Sequence, residues 1–148
     1  MLAGALIALM AGVFISVQGS LNAMVGTRAS VGAVISIPVL FQLAIYTGWI
    51  LLNQNFRREV FGIFELHFGV TYLLLSALLG IGIMVTMTLS FMKVGPLLAL
   101  SLVVFSQLAI SLAIEHFGCF GTQVTPVSLI RVAGLALMLL GTFLFAQK

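Results

Sequence analysis

Apolar residues fill the chain in long runs, and short polar clusters separate the runs. The first run extends from about Leu2 to Met24 and holds no charged side chain. Its second half is less uniform, with Ser16, Gln18, Ser20 and Asn22. A short segment containing Arg28 leads to a second run over about residues 33–52, with Pro38 in its first turns. Three more runs cover about residues 69–92, 96–116 and 126–146. Each is close to the length, about 20 residues at roughly 1.5 Å rise, that carries a helix across about 30 Å of hydrocarbon. Lipid supplies no partner for backbone N–H and C=O groups, so a spanning segment is either a helix or a strand of a closed barrel. Runs such as LLLSALLGIGIMV do not alternate in polarity as barrel strands do. The pattern predicts an all-α integral membrane protein, a bundle of five transmembrane helices, with residues 1–148 forming a single transmembrane domain.

Punctuation between the runs refines this picture. Gly95-Pro96 opens the fourth run, where proline fits because its missing N–H would lack a partner in a first helical turn. Thr125-Pro126 repeats the signal, predicting Thr125 as N-cap and Pro126 as first residue of the fifth helix. The loop over residues 53–68 is the longest and most charged, with Arg57, Arg58, Glu59, Glu65 and His67. Within it Phe56, Val60, Phe64 and Phe68 recur every four residues, with Phe61 beside them. That spacing fits a short helix lying in the membrane interface, or an ordinary packed loop. Gly12, Gly19 and Gly26 recur every seven residues, as do Gly134 and Gly141, and Gly80 and Gly82 interrupt the third run. Small residues of this kind predict close helix–helix approach, with helix bending as the alternative. Pro38 predicts a kink or a start in the second helix. The first run lacks the cationic head of a signal peptide and is read as a span, not a cleaved leader.

Composition then sets limits. The chain is 62% hydrophobic and 6% charged, against about 25% charged in soluble domains. A large soluble domain is excluded. The one cysteine, Cys119, is a free thiol with no intrachain disulfide. Six basic residues against three acidic ones are scattered, which excludes a nucleic-acid face and places them at helix flanks. There is no Asp, no phosphate-binding loop, no HExxH and no Cys/His cluster. No enzyme activity, cofactor or metal site is expected.

Charge also bears on orientation. Five spans put the two termini on opposite faces. Arg57, Arg58 and Arg131 then lie on one side, and Arg28, Lys93 and Lys148 on the other, an even division. Orientation normally follows an excess of Lys and Arg in cytoplasmic loops. Without that excess the chain is expected to insert both ways and pair head-to-foot; the alternative is a single orientation fixed by other means.

Three stretches, GVFISVQGSLNAMVG, KVGPLLALSLVVFSQLAISLAIEHFG and PVSLIRVAGLALMLLGTFLF, together resemble the short five-span YdcZ-type family of the drug/metabolite transporter (DMT) superfamily. The resemblance implies a multi-pass transporter or exporter of the inner (plasma) membrane. It further implies an antiparallel homodimer or a heterodimer with a related chain, because longer relatives contain inverted repeats that a half-size chain supplies by pairing. It implies no particular substrate. Four-span multidrug relatives carry a glutamate in their first helix; this first helix has none, so their proton–drug exchange is not carried over.

Gln18 and Asn22 are four residues apart and share a helix face. With Ser16 and Ser20 they form either part of a substrate path or interhelical glue, worth about 0.6 kcal/mol per bond. Ser101, Gln107 and Ser111 mark the fourth helix; Gln107 and Ser111 share a face and either meet the first-helix amides across a central cleft or serve packing alone. Glu115 and His116 end the fourth helix as a possible proton or cation acceptor or as a charged helix end; Arg131 is a partner for Glu115, an anion contact or a snorkelling flank. The function expected is export of a small molecule, neutral or weakly cationic, by alternating access in a dual-topology dimer. The rivals are a non-transporting membrane subunit or regulator, and a small channel.

Overall fold

The computed structural model describes residues 2–66 and 69–147. Among them six α-helices follow one another: α1 (Leu2–Gly26), α2 (Val31–Leu52), α3 (Gln54–Gly62), α4 (Gly69–Val94), α5 (Pro96–Phe117) and α6 (Leu129–Ala146). No strand occurs among the described residues. All but α3 are long and apolar enough to cross a membrane. The all-α, five-span expectation holds. His67, Phe68 and Lys148 lie outside the described residues.

The side chains are distributed as lipid demands. Among the described residues the buried hydrophobic ones are only Val34, Ile35, Met87, Phe91 and Ala99. No more than 11% of the apolar window of any spanning helix is buried. In water each large apolar side chain left exposed forfeits about 1.5–3 kcal/mol. Dozens of exposed Leu, Ile, Val and Phe side chains would then outweigh the roughly 5–15 kcal/mol of net stability a domain has. Hydrocarbon is the solvent in which this surface is stable.

The chain divides into two compact units, one within Met1–Met92 and one within Lys93–Lys148. In the first, glycines let α4 side chains reach α1. A Cβ on Gly19 would stand 2.7 Å from the ring of Phe91, and one on Gly26 would stand 2.9 Å from Met92 Sδ. Phe91 is buried there, as is Thr88, whose hydroxyl donates to the Met84 carbonyl at 2.8 Å. Ser30 begins α2 two residues earlier than hydropathy alone places it, its Oγ accepting from the Ala33 N–H. Pro38 sits inside α2 without ending it. After α2, Asn53 Oδ1 accepts from the N–H groups of Asn55 and Phe56, both at 3.0 Å, and starts α3. The helical alternative is thus realised over Gln54–Gly62. Phe56 packs edge-on against Trp49, with ring centres 5.9 Å apart, while Arg57, Arg58 and Glu59 face outward. The four-residue spacing fails beyond Gly62, because the chain tightens into a 3-10 turn at Ile63–Glu65 and stacks Phe64 on Phe61.

The second unit is the α5–α6 hairpin. Gly95 at φ 81° precedes Pro96 at the helix start, as the Gly-Pro signal predicts. Gly118 ends α5 in the left-handed conformation, and its N–H bonds the Ile114 carbonyl. The start of α6 differs from expectation. Thr125 does not cap it: its N–H bonds the Glu115 carbonyl at 2.9 Å, and its hydroxyl turns to the Gln123 carbonyl. Residues 122–128 are non-helical, and Ser128 is the cap, accepting from the Arg131 N–H. The last span is therefore 18 residues, about 27 Å long at 1.5 Å per residue. Close packing expected at Gly134, Gly141, Gly80, Gly82 and Gly12 is not found: a Cβ on each would meet nothing within 4 Å among the described residues.

The glycine contacts make a direct prediction. Gly19→Val forces the Phe91 ring to shift and should destabilise the protein by about 1–3 kcal/mol, the usual range for overpacking. Gly12→Val, one heptad earlier with open space around it, should be nearly neutral. Thermal unfolding in detergent compares them; equal Tm values for the two variants would contradict the α1–α4 contact.

Candidate functional site

Charge is concentrated at one end of the α5–α6 hairpin. Glu115 lies in the last turn of α5 and Arg131 is the third residue of α6. Arg131 Nη1 donates to Glu115 Oε2 at 2.8 Å. The backbone bond from Thr125 to Glu115 ties the returning chain to the same turn, which fixes the register of the pair. Both side chains are less than half exposed, at 43% and 44%.

Helix geometry extends the pair into a groove. Leu108, Ser111, Leu112 and Glu115 recur at steps of three and four on α5, and Arg131, Gly134 and Leu135 do so on α6. They line an open cavity of about 320 Å³. Gly134 leaves room for it, because no side chain projects there. The groove is apolar along its leucines, and its polar lining is Ser111, Glu115 and Arg131.

The pair also runs against both helix dipoles. An anion is favoured at a helix N-terminus and a cation at a C-terminus, by about 0.3–1 kcal/mol. Here the carboxylate stands at the C-terminal end of α5 and the guanidinium at the N-terminal end of α6. Each charge offsets a local penalty on the other, so helix capping does not account for them.

The remaining candidates fall elsewhere. Ser101 lines a second groove of about 320 Å³, with Leu97, Val104, Met138, Thr142 and Phe145 among its neighbours. Its hydroxyl is already satisfied by the Leu97 carbonyl at 2.9 Å. Gln107 lines neither groove, and His116 is exposed beside the Phe117 ring, 4.9 Å between centres. On α1, Ser20 donates to the Ser16 carbonyl at 2.8 Å. The amides of Gln18, Asn22 and Gln107 carry no side-chain hydrogen bond among the described residues; Gln18 and Gln107 are exposed, Asn22 partly so. Cys119 is exposed and free. No group of three His, Cys or Glu side chains able to hold a metal occurs among the described residues. The expectations named only polar and charged candidates and did not include Leu108, Leu112, Gly134 and Leu135, which line the same groove; their shared-face spacing was the available signal.

Five long apolar helices with outward aliphatic side chains define a multi-pass α-helical membrane protein. A model of the DMT_YdcZ family, described as "Putative inner membrane exporter, YdcZ", matches residues 3–144, and the chain belongs to this family. It is a multi-pass protein of the inner membrane. Neither a curated protein nor a solved structure matches it.

A half-exposed ion pair is worth little to stability. A double-mutant cycle with Glu115→Gln and Arg131→Gln should give a coupling of about 0.2–1 kcal/mol by equilibrium unfolding in mixed micelles. A coupling near the roughly 3–5 kcal/mol of a broken buried pair would contradict the open groove.

Proposed function

We propose that the protein exports a small molecule across the inner membrane. In this reading it is a member of the drug/metabolite transporter superfamily and not an enzyme. The observation that carries the reading is the exporter-family match over residues 3–144. The whole chain acts as a single transmembrane domain and works as a pair, an antiparallel homodimer or a heterodimer with a related chain, by alternating access. Support for the pairing is the even division of Lys and Arg between the two faces, which removes the usual electrostatic preference for one orientation. Support for a polar path along α1 is the amide pair Gln18 and Asn22, which share a helix face and have no hydrogen-bond partner among the described residues. Amides in a span need partners from a neighbouring helix, water or a solute. Gln107 and Ser111, four residues apart on α5, are further candidates for solute contact.

A non-transporting subunit of another complex is the competing reading, and reconstitution separates the two. Proteoliposomes holding only this chain, loaded with a mixture of small metabolites, should lose at least one solute faster than protein-free vesicles. Gln18→Ala/Asn22→Ala should cut that loss at least ten-fold while the protein still elutes as the same folded species. No solute loss above background would overturn the exporter reading; unimpaired loss in the double variant would remove the amides from the path.

Orientation is tested at the native thiol. Cys119 is exposed in the α5–α6 connection and is the chain's single cysteine. A membrane-impermeant maleimide should label about half of it from each face of sealed vesicles. Complete labelling from one face would contradict dual insertion.

A further inference from the structure

The groove at the Glu115–Arg131 end of the hairpin does more than hold two charges. We propose that it is a binding site for a small zwitterion with an apolar body, its ammonium on Glu115 and its carboxylate on Arg131. The proposal deepens the exporter reading and rests on it for the solute's fate, though not for its binding.

The chemistry follows from what the pair leaves unused. The contact is a single one, Nη1 to Oε2 at 2.8 Å. A guanidinium offers five N–H donors in a planar fork, and a carboxylate offers a second oxygen. No other side-chain hydrogen bond to either group occurs among the described residues. Arg131 is thus free to take a carboxylate in the two-bond fork geometry that guanidinium favours. Glu115 is free to accept from an ammonium. Both are partly exposed, so the pair opens without unpacking a core.

Net charge selects the class. A cation bound at Glu115 displaces Arg131 and leaves its charge without a partner against leucine walls. An anion bound at Arg131 does the same to Glu115. At this exposure the penalty is modest, but a lone charge beside leucines is still less favourable than a paired one. A zwitterion replaces one ion pair by two and leaves the groove neutral. Its ammonium and carboxylate, borne on neighbouring atoms, match two protein charges already side by side. Leu108, Leu112 and Leu135 extend from the charged end and give an apolar body somewhere to lie, beside the Ser111 hydroxyl. The cavity, about 320 Å³, is at the small end of the roughly 300–1,000 Å³ typical of ligand sites, in keeping with an amino-acid-sized solute. The placement of both charges against their helix dipoles fits a pair retained for a ligand.

The test uses the purified full chain in detergent and three probes with the same ring: L-phenylalanine, phenethylamine and 3-phenylpropanoate. Thermal stabilisation is read against concentration. L-phenylalanine should half-saturate at a concentration at least ten-fold lower than the amine or the acid. Glu115→Gln and Arg131→Gln should each weaken it ten-fold or more. The exchanged double variant, Glu115→Arg with Arg131→Glu, should recover most of the loss, because the zwitterion can bind end for end. If a neutral variant fails to elute as a single species, Glu115→Asp and Arg131→Lys take its place and should weaken binding several-fold. Equal stabilisation by amine or acid, an unchanged L-phenylalanine response in the variants, or no response to any probe would overturn the site. Efflux of other solutes without L-phenylalanine binding sinks this site and spares the exporter reading. Binding without any efflux does the reverse.

Discussion

The absence of water around the spans constrains everything else in this molecule. Backbone groups that cannot reach water close on themselves, so each crossing is a helix. Hydroxyl side chains obey the same rule: Ser20, Ser36, Thr86, Thr88, Ser101 and Thr142 each donate to the carbonyl four residues back. The outward leucines and phenylalanines gain nothing by meeting one another, because acyl chains are equally apolar. Contact between helices then depends on shape. Gly19 admitting Phe91, and Gly26 admitting Met92, are the instances in the first unit.

Where the constraint is violated, chemistry is to be sought. The amides of Gln18, Asn22 and Gln107, by contrast, find no partner among the described residues. Glu115 and Arg131 find each other, but at helix ends whose dipoles oppose them. Both exceptions are polar features on otherwise apolar helices. Under the proposed transport function such features have a use, since a solute crossing the bilayer needs partners in sequence.

Much of the fold was legible in the chain. Uninterrupted hydropathy located the five spans, and Gly95-Pro96 marked the start of α5 because its information is local: a fixed φ and a missing donor. Thr125-Pro126 carried the same local signal and misled: Ser128 caps α6 instead, and the Thr125 N–H bonds the Glu115 carbonyl of the preceding helix. That is a tertiary bond no local pattern encodes. Glycine periodicity was right at Gly19 and Gly26, where Phe91 and Met92 happen to face, and wrong at Gly134, where the open surface became part of a groove. Pairing of Glu115 with Arg131 was among the alternatives read from the chain. The leucine walls were not, because leucine in a lipid-facing helix looks the same whether it meets a solute or an acyl chain.

The central claim is that five helices stand in hydrocarbon with their aliphatic faces outward. Nitroxide labels, one per span, test it most directly in a Cys119→Ser background reconstituted in bilayers. Val13, Phe41, Ile83, Ile110 and Leu137 are exposed positions well inside the five spans. At each, collisions with oxygen, which concentrates in lipid, should exceed collisions with a water-soluble nickel chelate. A chelate-dominated signal at any of the five would take that helix out of the membrane and contradict the account.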